Sequence, residues 1–192
     1  MQSRVKQFLA RRQIQYIVDP GRQRSAVLIP IYRKQGQYYI LLTKRTQEVK
    51  NHRGQISFPG GAYQEEDGTL LNTALRESYE EIGLGADDID ILGEMDDFLT
   101  QVSNYIISPF VAVIPWPYEF KLNSREIEEL IEVPISALLE QGRRRLETRV
   151  IDGEEVTSFF YRYQGRVIWG ATARILSQLL DIIAGLWNAD RP

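Results

Sequence analysis

Three glutamates stand at spacing i, i+3 and i+4 in the run Arg76-Glu77-Ser78-Tyr79-Glu80-Glu81. Helical residues three and four apart are neighbours, so Glu77, Glu80 and Glu81 would crowd three carboxylates onto one surface. Like charges that close repel one another and push a carboxylate pKa upward unless something relieves them. A hard divalent cation such as Mg²⁺ does so, because it favours carboxylate oxygen and keeps places for water and phosphate oxygens. Metal-assisted cleavage of a pyrophosphate is the chemistry such a cluster supports. Against this, most Glu-rich helix faces are merely solvated, and Arg76 could serve only as a salt-bridge partner. Context favours the metal. Gly60-Gly61 follows a strand and precedes the helix, and Gly83 follows it, so a backbone loop can approach phosphate or metal closely.

The element that must position the carboxylates is a helix predicted over Thr69 to Ile82, stopped by Gly83. At about 100° per residue, Leu71, Leu75, Tyr79 and Ile82 fall on an apolar side, with the glutamates roughly opposite. Upstream, an amphipathic N-terminal helix is expected over about residues 3–16. Strands are expected at Ser25 to Tyr32, Tyr38 to Thr43 and Ile56 to Phe58. Further strands are expected near Ile89 to Glu94 and Ile106 to Ile114, and Glu126 to Glu132 reads as another strand or as a loop followed by one. Pro134 opens a short helix ending near Gly142. Arg149 to Ile151 and Val156 to Tyr163 read as a hairpin, and Gly170 to Trp187 as a closing helix. Strands in the middle with helices to cover them predict an α/β chain, a mixed β-sheet sandwiched between helices, as a single domain over residues 1–192.

The stretch from Gly61 to Leu84 resembles a Nudix box: Gly, five residues, Glu, seven residues, then Arg-Glu-apolar-any-Glu-Glu-any-Gly-apolar. Arg76, Glu77, Glu80, Glu81, Gly83 and Leu84 match its second half, with Ser78 at an apolar or small place. The first half departs from the pattern. Gly61 lies one residue too far from Arg76, and Gly68 occupies the place of the earlier Glu. Asp67, one residue away, offers a substitute through a bulged loop. The segment before the box narrows the resemblance. Leu41-Leu42-Thr43-Lys44-Arg45 and, later, Gly54-Gln55-Ile56-Ser57-Phe58-Pro59-Gly60-Gly61 are similar to a motif of coenzyme A pyrophosphatases, with Lys50 where Arg is commoner.

The resemblance implies a Nudix fold and hydrolysis of coenzyme A or its thioesters to 3′,5′-ADP and 4′-phosphopantetheine or its acyl form. It implies Mg²⁺ or Mn²⁺ as cofactor. Glu77, Glu80 and Glu81 are the expected ligands, the Gly61 carbonyl is a fourth, and Arg76 holds the carboxylates in position. One of the helix glutamates or a loop acid such as Glu129 would be the general base. Coenzyme A carries a diphosphate and a separate 3′-phosphate, and Lys44, Arg45, Lys50, His52 and Arg53 crowd potential cations before the box. Arg45, Lys50, Arg53 and Gly60 are the expected substrate contacts; a lone loop histidine such as His52 is usually structural. Two other readings are a Nudix hydrolase acting on ADP-ribose or NADH, and a Nudix-fold nucleotide-binding module without turnover.

The bulk properties fit. A net charge of −3 disfavours a general nucleic-acid binder. The chain has no cysteine, which excludes disulfides and thiolate chemistry and suits the cytoplasm. The N-terminus lacks a signal h-region, and the apolar stretch Ile175 to Trp187 is too short and too interrupted for a membrane span. A small nucleotide is therefore the expected partner, with a homodimer compatible and no membrane or nucleic acid. Arg143-Arg144-Arg145 reads as a solvated turn, Tyr161, Tyr163 and Trp169 as core or rim aromatics, and Asp96 and Asp97 as pocket-lining or turn-capping residues.

Overall fold

The computed structural model of the chain describes residues 1–48, 53–100, 103–140, 144–151 and 153–188. In chain order the elements are α1 (Gln2–Arg11), β1 (Gln23–Lys34), β2 (Gln37–Arg45), β3 (Ile56–Ser57), β4 (Gly60–Ala62), α2 (Leu70–Ile82), β5 (Asp90–Glu94), β6 (Phe98–Leu99), β7 (Tyr105–Val113), β8 (Ile127–Pro134), α3 (Ile135–Leu139), β9 (Arg144–Ile151), β10 (Glu154–Tyr163), β11 (Arg166–Ile168) and α4 (Gly170–Asn188).

Strand β1 is apolar on both faces, the pattern of a strand buried from two sides. It sits near the middle of a sheet ordered β3-β2-β1-β7-β5, paired antiparallel with β2 and parallel with β7. Three further strands complete that sheet: the short β4 on β1 and β6 on β7, and the eight-residue β8 on β2. One parallel pair among antiparallel ones makes it mixed, as expected. Ala26, Leu28, Tyr32 and Leu41 pack on one face with Ala74 and Ile82 of α2. Ile29, Ile31, Ile40 and Leu42 pack on the other with α1, α3 and α4, through Val5, Leu9, Leu138, Leu176 and Ile183. The sheet is thus sandwiched between helices. A separate three-stranded sheet, β11-β10-β9, buries Tyr161 on the α4 side.

The structure corrects several local expectations. The N-terminal helix ends at Arg11, and residues 12–17 run extended along Asp96 and Asp97. Those two aspartates accept from the Gln15 and Ile17 N–H groups, so they anchor this segment. Arg144 begins β9 and reaches Asp181 and Ser177 of α4, so it belongs to a strand and not to a turn. Tyr79 is 65% exposed, whereas Ala74, Ser78 and Thr73 are buried. The small residues form the helix seam because α2 lies tight against β1 and the Gly60–Ala62 strand, leaving no room for a ring. Lys50, His52, Gly142, Arg143 and Asp152 lie outside the described residues.

Candidate active site

Helix α2 starts at Thr69, whose hydroxyl accepts from the Asn72 N–H at 3.1 Å, and stops at Gly83 in the left-handed conformation at φ 69°. Between these caps the three glutamates divide by environment. Glu81 is only 2% exposed and Glu77 is largely buried, while Glu80 faces solvent. Glu81 is thus part of the packed side of the helix and not of a uniformly solvated acidic face.

Two backbone groups and two arginines hold the carboxylates. Gly60 donates its N–H to Glu81 Oε2 at 3.3 Å. A side chain at Gly61 would place its Cβ 2.5 Å from the Glu77 carboxylate, so that carboxylate sits directly on the glycine. Arg76 Nη1 donates to Glu77 Oε1 at 2.8 Å and to Glu80 Oε2 at 3.0 Å. Its Nε and Nη2 donate to Asp67 at 2.7 and 3.1 Å, and Nη2 also to the Ala62 carbonyl at 3.1 Å. Arg45, at the end of β2, donates from Nη1 to Glu81 Oε1 at 2.9 Å and from Nη2 to Glu126 Oε2 at 3.5 Å.

Asp67 resolves the one-residue misfit. It is the sixth residue after Gly61, where the motif wants its first acid, so the extra residue falls between Asp67 and Arg76. Gly68, at φ 68°, takes the chain from a 3-10 turn over Glu65–Asp67 into the Thr69 cap and absorbs that residue. Asp67 also accepts from the Gln64 N–H and the Thr73 hydroxyl. The Arg76 hydrogen bonds, with those of Gln64 and Thr73, hold its carboxyl down to about 2.

Burial has the opposite effect on the helix glutamates. It pushes Glu81 up to about 7, against the opposing pull of Arg45 and the Gly60 N–H. Glu77 is likewise raised, chiefly by burial. Glu126 is near enough to add to both shifts through its charge. Its approach has a clear cause: the Lys121 and Asn123 N–H groups bond the last α2 carbonyls, Ile82 and Glu81, and Asn123 Nδ2 donates to Glu126 Oε1 at 3.2 Å. Nothing in the sequence separated Glu126 from the acids of β8, which begins one residue later.

The structure therefore brings Arg76, Glu77, Glu80, Glu81, Gly60, Gly61 and Arg45 together, sets Asp67, the substitute acid, against Arg76, and adds Glu126. It does not bring Glu129 there. Glu129 sits opposite Lys44 in the β2–β8 ladder and accepts from Arg166 at 2.7 Å. Successive strand residues alternate faces, so Lys44 and Glu129 point away from the side that carries Arg45 and Glu81. Arg53 stands exposed in the turn before β3.

Hard-cation chemistry fits these donors: carboxylate oxygens and a glycine backbone in a pocket that penalises uncompensated negative charge. Among the described residues no three acidic or histidine side chains converge as a metal cage. Arg76 bridges Glu77 and Glu80, and Arg45 pairs with Glu81, so both arginines supply positive charge beside the carboxylates.

A sequence profile of the NUDIX domain matches residues 22–152. The chain is 33% identical over 177 residues to a Photorhabdus laumondii subsp. laumondii protein called uncharacterized Nudix hydrolase NudL, covering 90% of this chain and 94% of that one. It is 34% identical to a protein of the same name from Yersinia pestis (strain Pestoides F), covering 84% and 80%. Among solved structures, the Nudix hydrolase RenU of M. smegmatis aligns with TM-score 0.58 at 18% identity over 86% of this chain and 88% of that chain. The NUDIX domain of Shewanella oneidensis NrtR, solved with ADP ribose, aligns with TM-score 0.50 at 17% identity over 69% and 84%. These two share the fold. The chain belongs to the Nudix hydrolase family and is a pyrophosphohydrolase. Enzymes of this family generally use divalent metal ions, and no helix among the described residues is long and apolar enough to cross a membrane.

Proposed function

We propose that this hydrolase cleaves the diphosphate of coenzyme A or its thioesters, releasing 3′,5′-ADP and 4′-phosphopantetheine or its acyl form. The observation that carries the substrate reading is the basic segment Leu41 to Gly61. Its two ends, Arg45 and Gly60, both bond to Glu81, so the segment resembling coenzyme A pyrophosphatases is built into the carboxylate cluster.

Glu77, Glu81 and Glu80, with the Gly61 carbonyl, would hold Mg²⁺ or Mn²⁺. The bound cation screens the diphosphate and lowers the pKa of water. Arg76, clamped by Asp67, fixes the directions of Glu77 and Glu80. Gly60 and Arg45 offer an N–H and a guanidinium to phosphate oxygens, and Lys50 and Arg53 add charge for the separate 3′-phosphate. Glu126 accepts the proton of the attacking water, a part that the sequence leaves open between a helix glutamate and a loop acid such as Glu129. Its carboxylate faces the cluster through Arg45, whereas Glu129 is engaged by Arg166 on the other face. The chain works as one domain in the cytoplasm.

Product analysis tests this reading. Purified protein with Mg²⁺ or Mn²⁺ is incubated with coenzyme A, ADP-ribose, NADH and diadenosine polyphosphates, and the products are separated by chromatography. Appearance of 3′,5′-ADP supports the assignment. Brisk turnover of another compound without cleavage of coenzyme A removes it.

A further inference from the structure

The Glu126 side chain is 43% exposed, just before β8 begins. A glutamate so placed loses rotamer freedom when it is held, so something must hold it. Its contact with Arg45, Nη2 to Oε2 at 3.5 Å, is at the limit of hydrogen-bond reach. The shorter bond comes from Asn123, whose Nδ2 donates to Oε1 at 3.2 Å. The same amide is fixed at its oxygen: Asn123 Oδ1 accepts the Arg125 N–H at 3.3 Å, two residues on, as in an Asx turn. These two bonds decide which way the amide faces, because the reverse orientation would set its oxygen against a carboxylate.

The main chain of Asn123 completes a frame. Its N–H donates to the Glu81 carbonyl at 2.9 Å, and its carbonyl accepts the N–H groups of Glu126 and Ile127 at 2.9 and 2.8 Å. From the β2 side, the Thr46 N–H holds the Glu126 carbonyl at 2.8 Å. One residue thus ties both the backbone and the side chain of Glu126 to the last turn of α2. The tie is made at Glu81, whose own carboxylate is a proposed metal ligand.

We infer that Asn123 is a positioning residue for the hydrolysis: its amide holds the Glu126 carboxylate at a fixed place relative to Glu81. The role rests on Glu126 being the acceptor of the water proton. Asn123 acts only through Glu126, so its side chain governs kcat and not substrate binding. A base displaced by about an ångström can cost a reaction about 100-fold, which sets the scale of the effect.

A double-mutant cycle tests the role, with circular dichroism to confirm folding. Rates are measured at saturating Mg²⁺ on whichever of coenzyme A, ADP-ribose, NADH and the diadenosine polyphosphates is cleaved fastest. Asn123→Asp keeps the shape, the main-chain bonds and the acceptor for Arg125, and replaces the donor with a charge that repels Glu126. Asn123→Asp and Asn123→Ala should each lower kcat by about 10- to 100-fold, with KM within about twofold of native. In a Glu126→Gln chain the same substitutions should cost no more than about twofold further, because nothing is left for the amide to position. Equal losses in both backgrounds, or a native kcat in Asn123→Asp, overturn the inference and leave Glu126 as the base. A native rate in Glu126→Gln alone removes the base, and the role of Asn123 with it.

Discussion

Arg45 Nη1 lies 2.9 Å from Glu81 Oε1, joining the end of β2 to a carboxylate that is only 2% exposed. The guanidinium supplies the charge that this buried group needs, and it stands where phosphate and metal are expected.

Arg45→Ala leaves Glu81 buried without its cation. Breaking a buried pair costs about 3–5 kcal/mol, and the partial exposure of Arg45 lowers the expected loss to about 2 kcal/mol. A divalent cation on Glu81 replaces the missing charge and stabilises the folded state by binding it. Denaturant unfolding should therefore show a clear loss in EDTA and a much smaller one with millimolar Mg²⁺. An equal loss under both conditions would mean that Glu81 binds no metal.

Gly60 and Gly61 should fail differently. The atoms nearest a Cβ at Gly61 are those of the Glu77 carboxylate, a movable group, so Gly61→Ala should keep its Tm within a few degrees and lose kcat by about 100-fold, near 2.7 kcal/mol of transition-state stabilisation. A Cβ at Gly60 meets the Ala26 carbonyl at 2.3 Å, with φ at 153°, so Gly60→Ala should lower the Tm strongly. Paired thermal melts and initial rates separate the two, and matching behaviour would contradict this geometry.

Asp67 gives a pH signature. Its folded-state pKa is lowered to about 2 from 3.8, first by the Arg76 hydrogen bonds, so its stabilisation is complete above the unfolded value and is lost as pH falls through 3.8 toward 2. Asp67→Asn should cost about 1–3 kcal/mol at neutral pH, the range for spoiling a buried charged hydrogen bond. The gap from the native chain should narrow on acidification between those two pH values. A constant gap would show that Asp67 does not titrate with Arg76.

Much of this was legible in the sequence because periodicity and glycine spacing are local. The caps of α2 and the strands β1, β2 and β7 fall close to their expected spans. The buried face of α2 was legible at Ile82 and Leu71 but missed at Tyr79, because packing against the Gly60–Ala62 strand favours Ala74 and Ser78 over larger residues, a tertiary effect. Strand β4 itself was hidden, since Gly-Gly reads as a turn until β1 lends it a partner. Glu126 could not be told from Glu129 because their placement depends on an irregular register between Lys44 and Arg45.

That distinction is testable. Glu126→Gln should reduce kcat by about 100-fold or more if it takes the proton from water, an effect in the usual range for general-base loss. Glu129→Gln should stay within about threefold of the native rate, since it faces Arg166. The reverse order would return the base to Glu129.

The substrate is tested most directly by kcat/KM for coenzyme A, ADP-ribose and NADH, measured side by side with saturating Mg²⁺ and then Mn²⁺. The basic segment built onto Glu81 predicts that coenzyme A leads by at least about tenfold, or 1.4 kcal/mol. A higher kcat/KM for ADP-ribose or NADH would contradict it.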